Sequence, residues 1–208
     1  IFRRASEGDL SRQRNFGADQ AAHPWILIMD ADEIFSARAV QRIRRALAVP
    51  PQYAAFEMGR LNHFMGHPLR HAGAHDIYIL RLYRKDKVRY REPGIHHEWD
   101  VDGAMGRIEE DIHHYPFDSA TQVIRRGLVY SEHDAENFVK EQKSVSMKEI
   151  RYRLFGKSVK MFFKLYVRKF GFLDGMPGFI WAVCNVIGPQ IRWMKIWEIA
   201  EKYGKLSE

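Results

Sequence analysis

Trp25-Ile26-Leu27-Ile28-Met29-Asp30-Ala31-Asp32-Glu33 is an apolar run that ends abruptly in three acids around one alanine. The apolar part has the length of a strand, and its polarity changes at one end only. In open α/β sheets ligands gather beyond the carboxyl ends of the strands. The chain is therefore read as α/β, with Trp25 to Met29 as a buried strand that delivers Asp30 and Asp32 to the edge of a site. On an extended chain these two share a side, because strand side chains alternate with period 2. Two hard oxygen donors at that spacing suit Mg²⁺ or Mn²⁺ already engaged with phosphates. The competing reading is that Asp-Ala-Asp-Glu opens a helix, where acids favour the macrodipole and cap free N–H groups. Ser36 is the better N-cap for the next segment, which leaves Asp30 and Asp32 for other work.

Outward from that junction, Ser11 to Ala22 reads as one short helix stopped by His23-Pro24. Ala37 to Ala48 reads as an amphipathic helix with Val40, Ile43 and Leu47 on its apolar face, ended by Pro50-Pro51. From Tyr53 to about Tyr115 short β segments are expected at Tyr53 to Met58, Ile77 to Tyr83, Val88 to Arg91 and Met105 to His113. Beyond Phe117-Asp118-Ser119 the chain reads as one or two long helices and a helical tail. The expected organisation is an α/β part at 1–118, divided into 1–50 and a sheet at 51–118, then a helical, basic, amphipathic region at 119–208.

The 208 residues are 46% apolar and 28% charged, the content of a folded protein with one substantial core. The single cysteine, Cys184, excludes a disulfide within this chain and a Cys-based zinc site, which fits a reducing compartment. The net charge of +7 favours anionic partners. No nucleic-acid module is recognisable, so nucleic acid is not expected among them. The charge is concentrated in Arg151 to Lys169, which holds seven Lys or Arg, no acid, and apolar residues such as Phe155, Phe162, Phe163 and Tyr166 between them. Basic and aromatic residues at helical spacing suit an anionic membrane surface; a helical hairpin packed on the protein's own core needs the same apolar face. Phe172 to Pro189 is apolar at its centre and reads as too short to span a bilayer.

Several polar groups are candidates for chemistry. Arg14-Asn15, on the helix before the strand, is either a surface dipeptide or places an arginine near a phosphate or base. His63, His67, His71 and His75 are spaced by four, but Gly66, Pro68 and Gly73 interrupt the helix that would align them on a metal. Glu98, four residues after Gly94, is a candidate general base for an attacking hydroxyl; the alternative is an ion pair with Arg89 or Arg91. His113 and His114 can return a nitrogen donor to the metal end of a cleft, or be rim histidines.

Taken in order, Gln13 to Gly17, Trp25 to Glu33, Leu80-Arg81-Leu82-Tyr83-Arg84, His97-Glu98, His113 to Tyr115 and Gly171-Phe172-Leu173-Asp174-Gly175 resemble the family 2 inverting glycosyltransferases. The resemblance is nearest to the bacterial subgroup with lipopolysaccharide-core glucosyltransferases, and its specificity lies in the order of the motifs. It implies an A-type glycosyltransferase fold with its catalytic domain at 1–118, a Rossmann-like half (1–50) for the nucleotide-sugar and an acceptor-side sheet (51–118), and Mg²⁺ or Mn²⁺ as cofactor. It also implies that Asp32 ligates the metal, Asp30 lies nearer the ribose or sugar, Arg14 faces the nucleotide, His113 or His114 lies near the diphosphate, and Glu98 is the base. The donor would be a UDP-sugar and the acceptor a lipid-linked or envelope glycan such as lipopolysaccharide core. The enzyme would be cytoplasmic, peripheral on the inner face of the cytoplasmic membrane.

Family members begin with a strand, helix, strand unit that Ile1-Phe2-Arg3-Arg4 does not match, so the fold is expected to be N-terminally incomplete. A complete polypeptide of this sequence is expected to bind nucleotide-sugar weakly or not at all. Two other functions compete: a noncatalytic membrane-surface fragment, and a His-cluster metallohydrolase.

Overall fold

The computed structural model describes Arg3 and residues 9–48, 52–75, 77–92, 98–141 and 144–208, the side chains of Tyr130 and His133 excepted. The elements run α1 (Leu10–Gln20), β1 (Trp25–Leu27), β2 (Glu33–Phe35), α2 (Ala37–Ala48), β3 (Ala55–Phe64), β4 (His67–Pro68), β5 (Tyr78–Arg84), β6 (Val88–Tyr90), β7 (Trp99–Val101) and β8 (Met105–Phe117). A helical region follows: α3 (Ala120–Glu141), β9 (Val145–Ser146), α4 (Met147–Arg151), α5 (Lys157–Phe163), α6 (Gly175–Lys202) and β10 (Leu206–Ser207). The α/β class and the C-terminal helical tail are as expected. The chain divides into two units, one of residues 1–60 and 76–114, the other of 61–75 and 115–208.

In the first unit the sheet order is β1-β5-β3-β8-β2. β1 pairs antiparallel with β5, as do β3 with β5 and β2 with β8. β1 is thus a three-residue edge strand rather than a buried one, with Leu27 and Met29 exposed and Ile26 and Ile28 packed against buried Leu80 and Tyr83. Helix α1 starts where Asp9 accepts a hydrogen bond from the Arg12 amide (3.0 Å). Helix α2 starts at Ser36, whose Oγ accepts from the Ala39 amide (3.0 Å), as the N-cap reading anticipates. The buried stripe of α2 is Ala39 and Ile43, with Ala46 beside them, against Phe56, Met58 and Ile112. Val40 and Leu47, expected on that face, are exposed: the small alanines let the helix lie close to the sheet, and the contact line shifts around the helix.

In the second unit, buried Asp174 accepts from the backbone amides of Arg70 (3.2 Å) and His71 (2.9 Å) and pairs with His71 Nδ1 (2.9 Å). This carboxylate ties the loop after β4 to the start of α6. Gly178 is needed there, since a Cβ would lie 2.1 Å from the Gly171 carbonyl oxygen. Two π-helical turns, Tyr152–Gly156 and Lys164–Arg168, flank α5. They raise the residues per turn above 3.6, so a four-residue spacing tracks one face. That face carries Phe155, Val159, Phe163 and Val167, all exposed.

Helix α6 corrects an expectation. It runs through Pro189 for 28 residues, about 42 Å at 1.5 Å per residue, where the segment Phe172 to Pro189 reads as too short to span a bilayer. Proline forfeits one backbone hydrogen bond, yet the helix continues, packed along α3 and flanked by hydrogen bonds from Ser131 Oγ to the Gly188 carbonyl (3.3 Å) and from Gln190 to the Leu154 carbonyl (3.1 Å). Residues 171–202 are long and apolar enough to cross a membrane, by length and composition.

Candidate active site

Asp30 to Glu33 form a turn, closed by the Glu33 amide donating to the Asp30 carbonyl (3.1 Å). The period-2 argument for Asp30 and Asp32 therefore does not apply: it requires an extended backbone, and here the chain reverses. The two carboxylates acquire different partners. Asp30 meets Arg81 Nη2 at 2.9 Å and Arg14 Nη2 at 3.5 Å. Asp32 meets His114 Nε2 at 3.3 Å.

Beneath the turn lies Glu33, the first residue of β2 and opposite His114 in register. Its side chain is 0% exposed and pairs with Arg81, itself 3% exposed, on β5. The other Glu33 oxygen accepts the Asp30 amide (3.1 Å). Arg81 thus bridges a buried and a half-exposed carboxylate, and Glu33 holds the turn from below. Arg14 reaches Asp30 from α1 with its guanidinium 5.3 Å from the centre of the Tyr90 ring. Its neighbour Asn15 is buried, not a surface residue: it donates to the Tyr90 carbonyl (2.8 Å) and accepts from the Tyr90 amide (3.0 Å), fixing α1 on β6.

His114 has its imidazole pKa lowered, first by burial and then by the Arg60 guanidinium, with Asp32 and Glu33 opposing. A neutral imidazole beside a half-exposed carboxylate is compatible with a nearby cation. Among the described residues no group of three or more His, Cys, Asp or Glu is placed to hold a metal ion. Mg²⁺ commonly takes only one or two carboxylates and completes its shell with substrate phosphates and water. Asp32, 44% exposed, fits that role.

The remaining candidates stand apart from this group. His113 is opposite Ile34 in register, and alternation along β8 turns it to the other face from His114. Glu98 is 69% exposed and lies 3.7 Å from Arg91, one of the two arginines considered for it; His97 lies outside the described residues. In the histidine series, buried His63 stacks on Tyr115 and His71 is held by Asp174. Reading the sequence assigned no role to Glu33, Arg60 or Arg81. The available signal was a single arginine inside each of two short, otherwise apolar stretches, Met58-Gly59-Arg60-Leu61 and Leu80-Arg81-Leu82, since buried arginine requires a carboxylate or a ligand.

A protein of Rickettsia typhi named as an uncharacterized glycosyltransferase is 24% identical over 201 residues, covering 91% of this chain and 68% of its own length. Similarly named proteins of Rickettsia conorii (24% identical; 91% of this chain, 70% of the relative) and Rickettsia felis (25%; 89% and 68%) also match. The family model described as Glycosyl transferase family 2 matches residues 1–109, which include the acidic turn and its arginine partners. With that match over more than half of the chain, on a mixed α/β fold of the A-type glycosyltransferase kind, the protein belongs to glycosyl transferase family 2 and is an inverting glycosyltransferase.

Proposed function

We propose that this glycosyltransferase uses a UDP-sugar, with a divalent cation on Asp32, and that its acceptor is a lipid-linked or envelope glycan of the lipopolysaccharide-core type. The observation that carries the donor half is the charged assembly around the turn. Arg14, Arg60 and Arg81 face Asp30, Asp32 and Glu33 across one group of residues, a formal sum of zero. A donor diphosphate adds two negative charges, which a divalent cation offsets. Such a cation supplies charge stabilisation for the departing nucleoside diphosphate.

In this reading Arg14 and Asp30 hold the nucleotide side, and His114, with His113 near it in sequence, borders the diphosphate. Glu98 takes the proton of the acceptor hydroxyl as its oxygen bonds to the anomeric carbon and the nucleoside diphosphate leaves from the opposite face. That displacement inverts the anomeric centre. Replacing Glu98 by Gln is expected to lower kcat with UDP affinity unchanged; an unchanged kcat assigns proton transfer to another group.

The membrane half rests on the exposed Phe155, Val159, Phe163 and Val167 beside Lys157, Lys160, Lys164 and Arg168. Apolar side chains with flanking cations match an anionic bilayer surface. In this reading the enzyme is cytoplasmic, peripheral on the inner face of the cytoplasmic membrane, where lipid-linked acceptors are presented.

Calorimetric titration of UDP and UDP-glucose, with and without Mn²⁺, into the chain and its Asp32→Ala variant tests the donor site. Metal-dependent binding that disappears in the variant supports it. Equal binding by the variant removes Asp32 from the metal site.

A further inference from the structure

Arg60 lies on β3 within an apolar stretch, and its side chain helps line a cavity of about 30 Å³ together with Arg14, Asp30, Arg81, Tyr90 and Trp99. The other two arginines there are matched, Arg81 by Glu33 and Asp30, Arg14 by Asp30. Arg60 is not. Among the described residues its side chain makes no hydrogen bond or ion pair, and its buried Nε has no acceptor. Burial holds its guanidinium below the usual arginine range, outweighing the attraction of Glu33, Asp30 and Asp32 and adding to the repulsion from Arg81. An arginine remains charged under these conditions.

A partly buried cation without a partner is costly to the unliganded fold. Arginine at this position is also a poor choice for packing alone, because an apolar side chain on the same strand would carry no such cost. The group is, however, suited to an incoming anion. A guanidinium fork matches the oxygens of a phosphate, and charge-assisted hydrogen bonds are stronger than neutral ones. Desolvation before the ligand arrives strengthens the attraction once it is there.

We propose that Arg60 is a diphosphate-binding residue of the donor site, donating its guanidinium N–H groups to a phosphate oxygen of the nucleotide-sugar and of the nucleoside diphosphate that leaves. This rests on the donor-site reading above, and the experiment separates the two. Arg60→Gln and Arg60→Lys variants are compared with the parent chain by calorimetry with UDP, GDP and CDP in the presence of Mn²⁺, and by thermal unfolding without nucleotide. For whichever nucleotide the parent binds, Arg60→Gln is expected to weaken binding at least about tenfold. Arg60→Lys keeps the charge but loses the fork and should fall between. Without nucleotide, Arg60→Gln should melt at the same temperature as the parent or higher, since it removes an unmatched, partly buried charge.

Unchanged nucleotide affinity in Arg60→Gln overturns the assignment and leaves the donor site standing. So does a lower melting temperature without nucleotide, or a failure of Arg60→Gln to fold, either of which makes Arg60 part of the scaffold. A parent chain that binds none of the three nucleotides overturns the donor-site reading and the Arg60 assignment with it.

Discussion

In the first unit, the departures from the ordinary inside-outside distribution that bear on the site are charged: Glu33 and Arg81 are buried and Arg60 is partly buried. In the second they are mostly apolar and exposed, with Phe155 at 70% and Phe163 at 57% exposure, although Asp174 is buried there too. Each departure costs free energy that ordinary packing would avoid. Buried charge positions polar groups against a small anionic ligand, where geometry matters. Exposed aromatics suit a broad, fluid partner, where area matters. The contrast separates a site read through hydrogen bonds from a surface read through hydrophobic transfer.

Arg81→Leu should break the first unit most severely. It leaves Glu33 buried without its cation, a loss of about 3–5 kcal/mol in urea unfolding. Combining it with Glu33→Met should recover much of that stability, because both charges are then gone. A double variant no more stable than Arg81→Leu would show that the pair is not an isolated unit. Asp32→Ala comes next: transfer should fall on the order of 100-fold or more, while stability changes by roughly 0.5 kcal/mol or less. A large stability loss there would make the turn acid structural.

Within the second unit, Asp174→Asn should cost about 1–3 kcal/mol, since it weakens a buried acceptor of two backbone amides. Hydrogen exchange at Arg70 and His71 should accelerate if Asp174 ties those loops together. Replacing Phe155 and Phe163 together by Ser should leave the melting temperature nearly unchanged and weaken sedimentation with anionic vesicles about tenfold or more. A melting temperature several degrees lower would show that the stripe packs on protein instead.

The smallest effect concerns His114. Its pKa is lowered in the fold by burial and Arg60, so the unfolded chain takes up this proton first as pH falls below about 6.5. Its contribution is therefore fully present above that pH and is lost on acidification toward the lower folded value. In EDTA, His114→Asn should flatten that part of the stability profile.

Local grammar was legible from the start. Helices α1 and α2 fell close to their expected bounds because Asp9, Ser36, His23-Pro24 and the amphipathic periods act over a few residues. The acidic junction, too, stood out by polarity alone. Its geometry did not: a three-residue β1 and a turn at Asp30 replaced the expected strand Trp25 to Met29 and its extended continuation, since a hydrogen bond between Glu33 and Asp30 competes with extension. The α2 stripe shifted from Val40 and Leu47 to Ala39 and Ala46 because close approach to the sheet, not hydrophobicity, selects the contact line.

The sequence by itself determined the α/β class and the basic aromatic tail, which are carried by residues near one another in the chain, and the family, which is carried by the order of its motifs along the chain. Only the tertiary structure decided that Arg81 joins Asp30 to Glu33, that Asp32 faces His114, and that Arg60 stands among them without a partner. Those relations link residues tens of positions apart. Strand register sets them, and electrostatics gains its force only after burial has removed the water between the charges.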